Sequence, residues 1–226
     1  MINKTDYLCL TGKELDAWLE QQFRLWSNNH KLLYKRAGEF TNGKIYDPIS
    51  SYAGFNYRTF NEALRSSSDL SERHERLYRE LTLSILSAPV IKDKIIVYRW
   101  TTRNIIKSIM CKTHQGICFY ERGFMSTTFD PSIINHCEGL SDDMILMRLF
   151  VDEGAFAVYV PYVAGRNEKE LLFLPGCELR YIGRSHINDV YPEGNNKHIY
   201  DIHVKPPFNC RFWSEGNPSM QQKGTT

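Results

Sequence analysis

Residues 84–100 read SILSAPVIKDKIIVYRW, and the fold turns on how this stretch is read. Before Pro89, apolar residues recur four apart at Leu77, Leu81 and Ile85, the spacing of one helical face. Proline has no N–H to donate and ends a helix. Beyond it, Lys94–Trp100 is short and rich in β-branched and aromatic residues, which predicts a strand. The same change of period divides the whole chain. Upstream, Thr11-Gly-Lys-Glu14 has the form of a capping box, and Leu15, Trp18, Leu19, Phe23 and Trp26 then share a helical face. Residues 51–65, SYAGFNYRTFNEALR, read as a loop and a short helix carrying Tyr57, Phe60, Asn61 and Leu64, followed by a longer helix over Ser71–Ser87. Downstream, Gly123–Phe129, Met144–Asp152, Phe156–Tyr162, Glu170–Leu174, Glu178–Gly183 and Ile199–Lys205 read as strands, punctuated by Gly and Pro. Helices followed by strands predict an α+β architecture in a single domain. Its expected parts are a mainly helical lobe over 1–90, a β core over 91–205, and a poorly ordered tail over 206–226.

Composition narrows the function classes. A 42% hydrophobic and 13% aromatic content over 226 residues supports one substantial core. A formal net charge of +2 makes no demand for nucleic acid or an anionic membrane as partner, and neither is expected. No apolar run approaches the ~20 residues of a membrane span. The start, MINKTDYLCLTGKELD, lacks the apolar run of a signal peptide. The six cysteines are scattered without a CxxC pair, the pattern of reduced thiols. Cys111, His114, Cys118, His136 and Cys137 fall within 27 residues, but their spacing matches no common zinc template, so no metal is expected.

Three segments carry chemistry. In the first, Arg99 lies within IIVYRWTT (95–102), where a charge is costly unless it is paired or faces a cleft. It fits either a structural carboxylate pair or a phosphate or carboxylate ligand held by the planar fork. The second, GFMSTTFDP (123–131), places hydroxyls in succession at Ser126, Thr127 and Thr128. The third, RNEKELLFLPG (166–176), places Glu168 and Glu170 two apart at the start of an apolar strand. In extended chain the two project to one side and repel unless something compensates. They read either as a solvated edge beside Arg166 and Lys169, or as paired carboxylates for base catalysis or for stabilising a cationic transition state.

Taken in this order, the segments resemble the R-S-E class of mono-ADP-ribosyltransferases, which includes bacterial actin-modifying toxins, Rho-modifying exoenzymes and vertebrate ecto-transferases. Tyr98-Arg99 matches the aromatic-Arg of the first core strand. Gly123-Phe124-Met125-Ser126-Thr127-Thr128 matches the run into Ser-Thr-Ser/Thr, and Glu168-Lys169-Glu170-Leu171-Leu172 matches Glu-x-Glu before an aliphatic strand. Tyr57, Asn61, Leu64 and Arg65 resemble the family's upstream helix. The resemblance spans about 52–205.

It implies a cleft for the co-substrate NAD between two roughly perpendicular sheets, beneath the helical lobe. Arg99 would hold the NAD phosphates or the adjacent ribose, with Trp100 either lining the nicotinamide pocket or packing in the core. Ser126 would fix the rotamer of Glu170, supported by Thr127 and Thr128. Glu170 would accept hydrogen bonds from the ribose and stabilise the oxocarbenium-like ion, and Glu168 would meet the acceptor. Glu at that position implies arginine as acceptor, with a hydroxyl such as threonine as the alternative. An NAD glycohydrolase, or a binding protein retaining the fold with a decayed site, are the other readings. The implied partner is a target protein of a host cell, reached by an export route without a readable signal; failing export, the chain would be cytoplasmic. The family often carries an aromatic four residues before the first Glu. Here that position is Ala164, and Tyr162 is the candidate substitute.

Overall fold

The computed structural model describes residues 2–43, 45–66, 69–132, 144–165, 169–186 and 198–207. Helix α1 (Gly12–Phe40) buries Leu15, Leu19 and Phe23 and packs Trp18 and Trp26 beside them. Thr11 occupies its N-cap in extended conformation but makes no side-chain capping bond, so the capping box is present in sequence and not in geometry. A short helix α2 (Pro48–Ser51) passes through a π-type turn, Tyr52–Asn56, into α3 (Tyr57–Ser66). Helix α4 (Glu72–Leu86) starts at Ser71, whose hydroxyl accepts from the His74 N–H, and buries Leu81 and Ile85.

Among the described residues eight strands follow: β1 (Ile95–Thr102), β2 (Phe119–Tyr120), β3 (Met125–Thr128), β4 (Met144–Val151), β5 (Ala157–Tyr159), β6 (Glu170–Phe173), β7 (Glu178–His186) and β8 (His198–Lys205). They hydrogen-bond in one order, β2-β7-β8-β4-β1-β3-β6-β5. The join is uneven. β1 pairs with β4 over all eight residues but meets β3 at one pair, Tyr98 with Thr128. The two-sheet expectation therefore corresponds to two halves of one sheet that meet at a narrow seam.

Both faces of the β3-β6-β5 half are covered. Leu171 and Phe173 enter the core that contains Leu15, Leu19 and Ile106. Leu172 and Leu174 enter the core built with Ile49, Phe60, Leu81 and Ile85 of α2, α3 and α4. This two-sided burial explains why the strand reads as a continuous apolar run instead of an alternating one.

Two helices depart from the sequence reading. Arg103–His114 forms α5, packing Ile106 and Ile109 into the first core. Phe156–Tyr162 is not one strand: β5 ends at Tyr159 and α6 (Val160–Ala164) begins, with Pro161 in its first turn. Proline is tolerated there because the N–H it lacks has no intrahelical partner. Gly165, at φ 68°, ends the helix in a left-handed turn that a side chain would strain.

The expected tail from 208 onward lies outside the described residues. Cys111 is exposed and Cys118 half-buried, while His136 and Cys137 lie outside the described residues. Among the described residues no group of three or more His, Cys, Asp or Glu is placed to hold a metal ion, and no helix is long and apolar enough to cross a membrane.

Candidate active site

The site is assembled around the entry to β3. Glu121 is held from both sides by backbone: its N–H donates to the Cys177 carbonyl at 3.0 Å, and its carbonyl accepts from the Gly176 N–H at 2.6 Å. The chain then passes under α3. Asn61 accepts from the Phe124 N–H at 2.9 Å and donates back to the Phe124 carbonyl at 3.3 Å. It also donates to the Tyr52 hydroxyl at 2.7 Å. A Cβ on residue 123 would lie 2.8 Å from Asn61 Oδ1 and 3.2 Å from Arg65 Nη2. Glycine at 123 is what lets the helix approach the strand this closely.

From that anchor the register of β3 is set. Ser126 pairs with Leu172 and Thr128 with Glu170. The Ser126 hydroxyl donates to Glu170 Oε1 at 2.6 Å, and Glu170 is 8% exposed at the start of β6. A charge-assisted bond of this length to a carboxylate held at a strand end fixes its orientation.

Arg99 reaches the same region from β1. Its Nη1 donates to the Ser126 carbonyl at 3.5 Å, and its Nη2 stands 3.6 Å from Glu121 Oε2. Its side chain is 13% exposed. Burial pushes the guanidinium pKa down, and Glu121 opposes that shift. Glu121 itself is 4% exposed; burial would raise its carboxyl, but Arg99 and Arg65 outweigh burial and hold it below the usual range. Burial pushes the Tyr52 hydroxyl up to about 12, with Arg99 and Glu170 both close enough to act on it.

The other expected residues go elsewhere. Trp100 alternates to the opposite side of β1 from Arg99 and packs with Tyr98, Leu146 and Ile199. This packing fits the core alternative for Trp100. The Thr127 hydroxyl donates to the Leu171 carbonyl at 2.9 Å, and Thr128 Oγ1 accepts from the Asp130 N–H at 3.2 Å. The first bond ties β3 to β6 beside Glu170, and the second holds the turn after β3. Tyr162 lies under Arg24, whose guanidinium carbon is 4.0 Å from the ring centroid, and donates to Glu20 at 3.3 Å. It ties α6 to α1. Glu168 lies outside the described residues.

The sequence reading missed Glu121 as the carboxylate shared by Arg99 and Arg65. Its signal was an acidic residue two before Gly123 in a segment otherwise bound for the core.

Comparison with known proteins places these features. Residues 16–205 match the model of a family described as ADP-ribosyltransferase exoenzyme. Among solved structures, the chain is similar to BECa, an ADP-ribosylating toxin of a binary enterotoxin of C. perfringens, solved with NADH. The identity is 19%, the TM-score 0.59, and the match covers 84% of this chain and 47% of BECa. This chain thus spans about half the length of that toxin. It is also similar to the Clostridium limosum C3 exoenzyme, at 15% identity and TM-score 0.56, covering 90% of this chain and 100% of the other. Exoenzyme S from Pseudomonas aeruginosa, solved with human 14-3-3 protein beta and Carba-NAD, matches at 14% identity and TM-score 0.52, covering 95% and 92%. No curated protein sequence matches the chain.

Proposed function

The chain belongs to the ADP-ribosyltransferase exoenzyme family, whose members are NAD-dependent mono-ADP-ribosyltransferases, and from that premise we propose that it transfers ADP-ribose to arginine side chains of a target protein. The observation that carries the reading is the juxtaposition of Arg99, Ser126 and Glu170 at the seam of the sheet. Arg99 suits the anionic part of NAD. Its side chain is charged and only 13% exposed, and among the described residues it spends one of its five donors in a hydrogen bond, at the long distance of 3.5 Å. A buried guanidinium with donors to spare is a receptor for phosphate oxygens.

Glu170 supplies the chemistry. As the bond from ribose to nicotinamide breaks, positive charge develops on the sugar. A carboxylate already oriented by Ser126 in a nearly dry setting stabilises that charge without reorganising. Ser126 holds the carboxylate in place. Thr127 ties the two strands that carry Ser126 and Glu170, and Thr128 holds the turn that follows Ser126.

Glu168 is assigned the acceptor. A carboxylate two residues before Glu170 can pair with a guanidinium and direct its nitrogen to the anomeric carbon. The family resemblance of Glu168-Lys169-Glu170 supports arginine over a hydroxyl acceptor. The target is assigned to another cell, with this chain acting there as an exported effector, a reading supported by the toxins among its structural neighbours.

The test of this division of labour is Glu168→Ala. Transfer to protein should fall by tenfold or more, since a positioning pair is lost, while slow NAD hydrolysis is retained because water needs little orientation. The assay is nicotinamide release without target and target labelling with it. Equal loss of both would place Glu168 in the NAD site, and unchanged labelling would leave it a solvated edge charge.

A further inference from the structure

Resting on the reading of Glu168 as the residue that meets an arginine acceptor, we infer that Asp130 is a positioning residue for that acceptor: it holds the ammonium of Lys169 on the β3 side and keeps this cation from the incoming guanidinium. The two residues lie where β3 and β6 run out together. Thr128 and Glu170 form the last pair of that ladder. Just beyond it, the Phe129 N–H still donates to the Lys169 carbonyl at 3.4 Å. Lys169 Nζ then stands 3.6 Å from Asp130 Oδ2.

The Asp130 carboxylate is fixed before Lys169 reaches it. Its backbone N–H donates to Thr128 Oγ1 at 3.2 Å, and its Oδ1 accepts from the Ser132 N–H at 2.9 Å. These bonds leave Oδ2 turned to the ammonium. Burial alone would raise the Asp130 carboxyl, but Ser132 and Lys169 outweigh burial and hold it below the usual range. It is therefore ionised at neutral pH.

The need for such a holder is written in the order Glu168-Lys169-Glu170, which sets a cation between the two carboxylates assigned to the reaction. Alternation along extended chain turns Lys169 away from Glu170. Its stem is flexible, however, and its side chain is 49% exposed. An ammonium without a fixed partner would be drawn to Glu168 and occupy it, or would stand beside the acceptor as a like charge. Either outcome makes it harder to bring a second cation to the same carboxylate. A pair this exposed adds little to stability. Its consequence is where the ammonium rests, and the effect is confined to charged acceptors.

The experiment compares transfer from NAD to agmatine, a free alkylguanidinium, with transfer to methanol, a neutral nucleophile, and with nicotinamide release when neither is present. Asp130→Asn keeps an oxygen that can accept from Ser132 and removes the charge. It should raise the KM for agmatine about three- to tenfold at low ionic strength, and less in high salt. Methanol transfer and acceptor-free nicotinamide release should stay near wild type. Lys169→Met, which leaves the Asp130 turn untouched, should give a KM for agmatine at or below the wild-type value. Lys169→Met combined with Asp130→Asn should restore the KM, because the cation that had to be held is gone. A double variant as weak as Asp130→Asn overturns the inference in favour of direct contact between Asp130 and the acceptor. It is overturned outright by an unchanged KM in Asp130→Asn, by a raised KM in Lys169→Met, or by an equal loss with methanol and in acceptor-free release. A wild type that releases nicotinamide but labels no agmatine is a failure of the arginine reading itself, seen without any variant.

Discussion

Glu170→Gln should lower both nicotinamide release and target labelling by on the order of 10²–10³, the usual loss when a preorganised electrostatic group is neutralised. The substitution is conservative in shape. The amide oxygen can still accept from the Ser126 hydroxyl, which in the native protein donates to Oε1 at 2.6 Å. Glutamine therefore keeps the side chain's place at the start of β6 and removes its charge. The charge matters most when the sugar becomes cationic, so NAD affinity should change far less than turnover. Melting temperature should stay near the wild-type value or rise, because a carboxylate at 8% exposure is costly to hold desolvated. Near-normal NAD cleavage by the folded variant would remove Glu170 from the mechanism.

Arg99→Lys should act on binding. Lysine retains one positive charge but has no fork, so it cannot hold two phosphate oxygens in fixed geometry. Loss of one charge-assisted hydrogen bond costs about 1.5–3 kcal/mol, which raises the NAD Kd roughly ten- to hundredfold. The far-ultraviolet circular dichroism should remain native-like, since among the described residues Arg99 makes one long hydrogen bond, to the Ser126 carbonyl. Glu121 retains its bonds to Arg65 and to the Gly123 N–H in this variant. Calorimetric titration of NAD into the variant measures the effect. A variant that unfolds, set beside a wild type that binds no NAD, would make Arg99 a structural ion-pair partner and nothing more.

How much of this was legible in the sequence depended on whether the signal was local. The change at Pro89 was readable because proline and the β-branched run after it act on their own segments. Helix α4 was readable for the same reason, from Leu81 and Ile85 on its face. Helix α5 was not, because it follows β1 with no Gly or Pro between and is entered from Thr102 in extended conformation. Residues 156–162 misled because Val158 and Val160 alternate with aromatics and read as strand, while the outcome was decided by Pro161 and Gly165.

The same distinction holds at the site. Ser126 and Glu170 could be proposed from motifs, and they meet because β3 and β6 pair antiparallel. Trp100 was drawn toward the site by adjacency to Arg99, whereas the pleat of β1 sends neighbours to opposite sides. Glu121 was hidden because its meaning lies in Arg65, 56 residues away, and in a strand that approaches from the far side of the seam.

The central claim is that this seam cleaves NAD and passes ADP-ribose to arginine. The most direct measurement is incubation of the chain with NAD labelled in the adenosine part and a cell lysate, followed by mass spectrometry of the labelled peptides. The expected result is ADP-ribose on arginine side chains with the wild type and none with Glu170→Gln. Label on another residue type would contradict the arginine assignment, and the absence of both label and released nicotinamide with the wild type would contradict the claim itself.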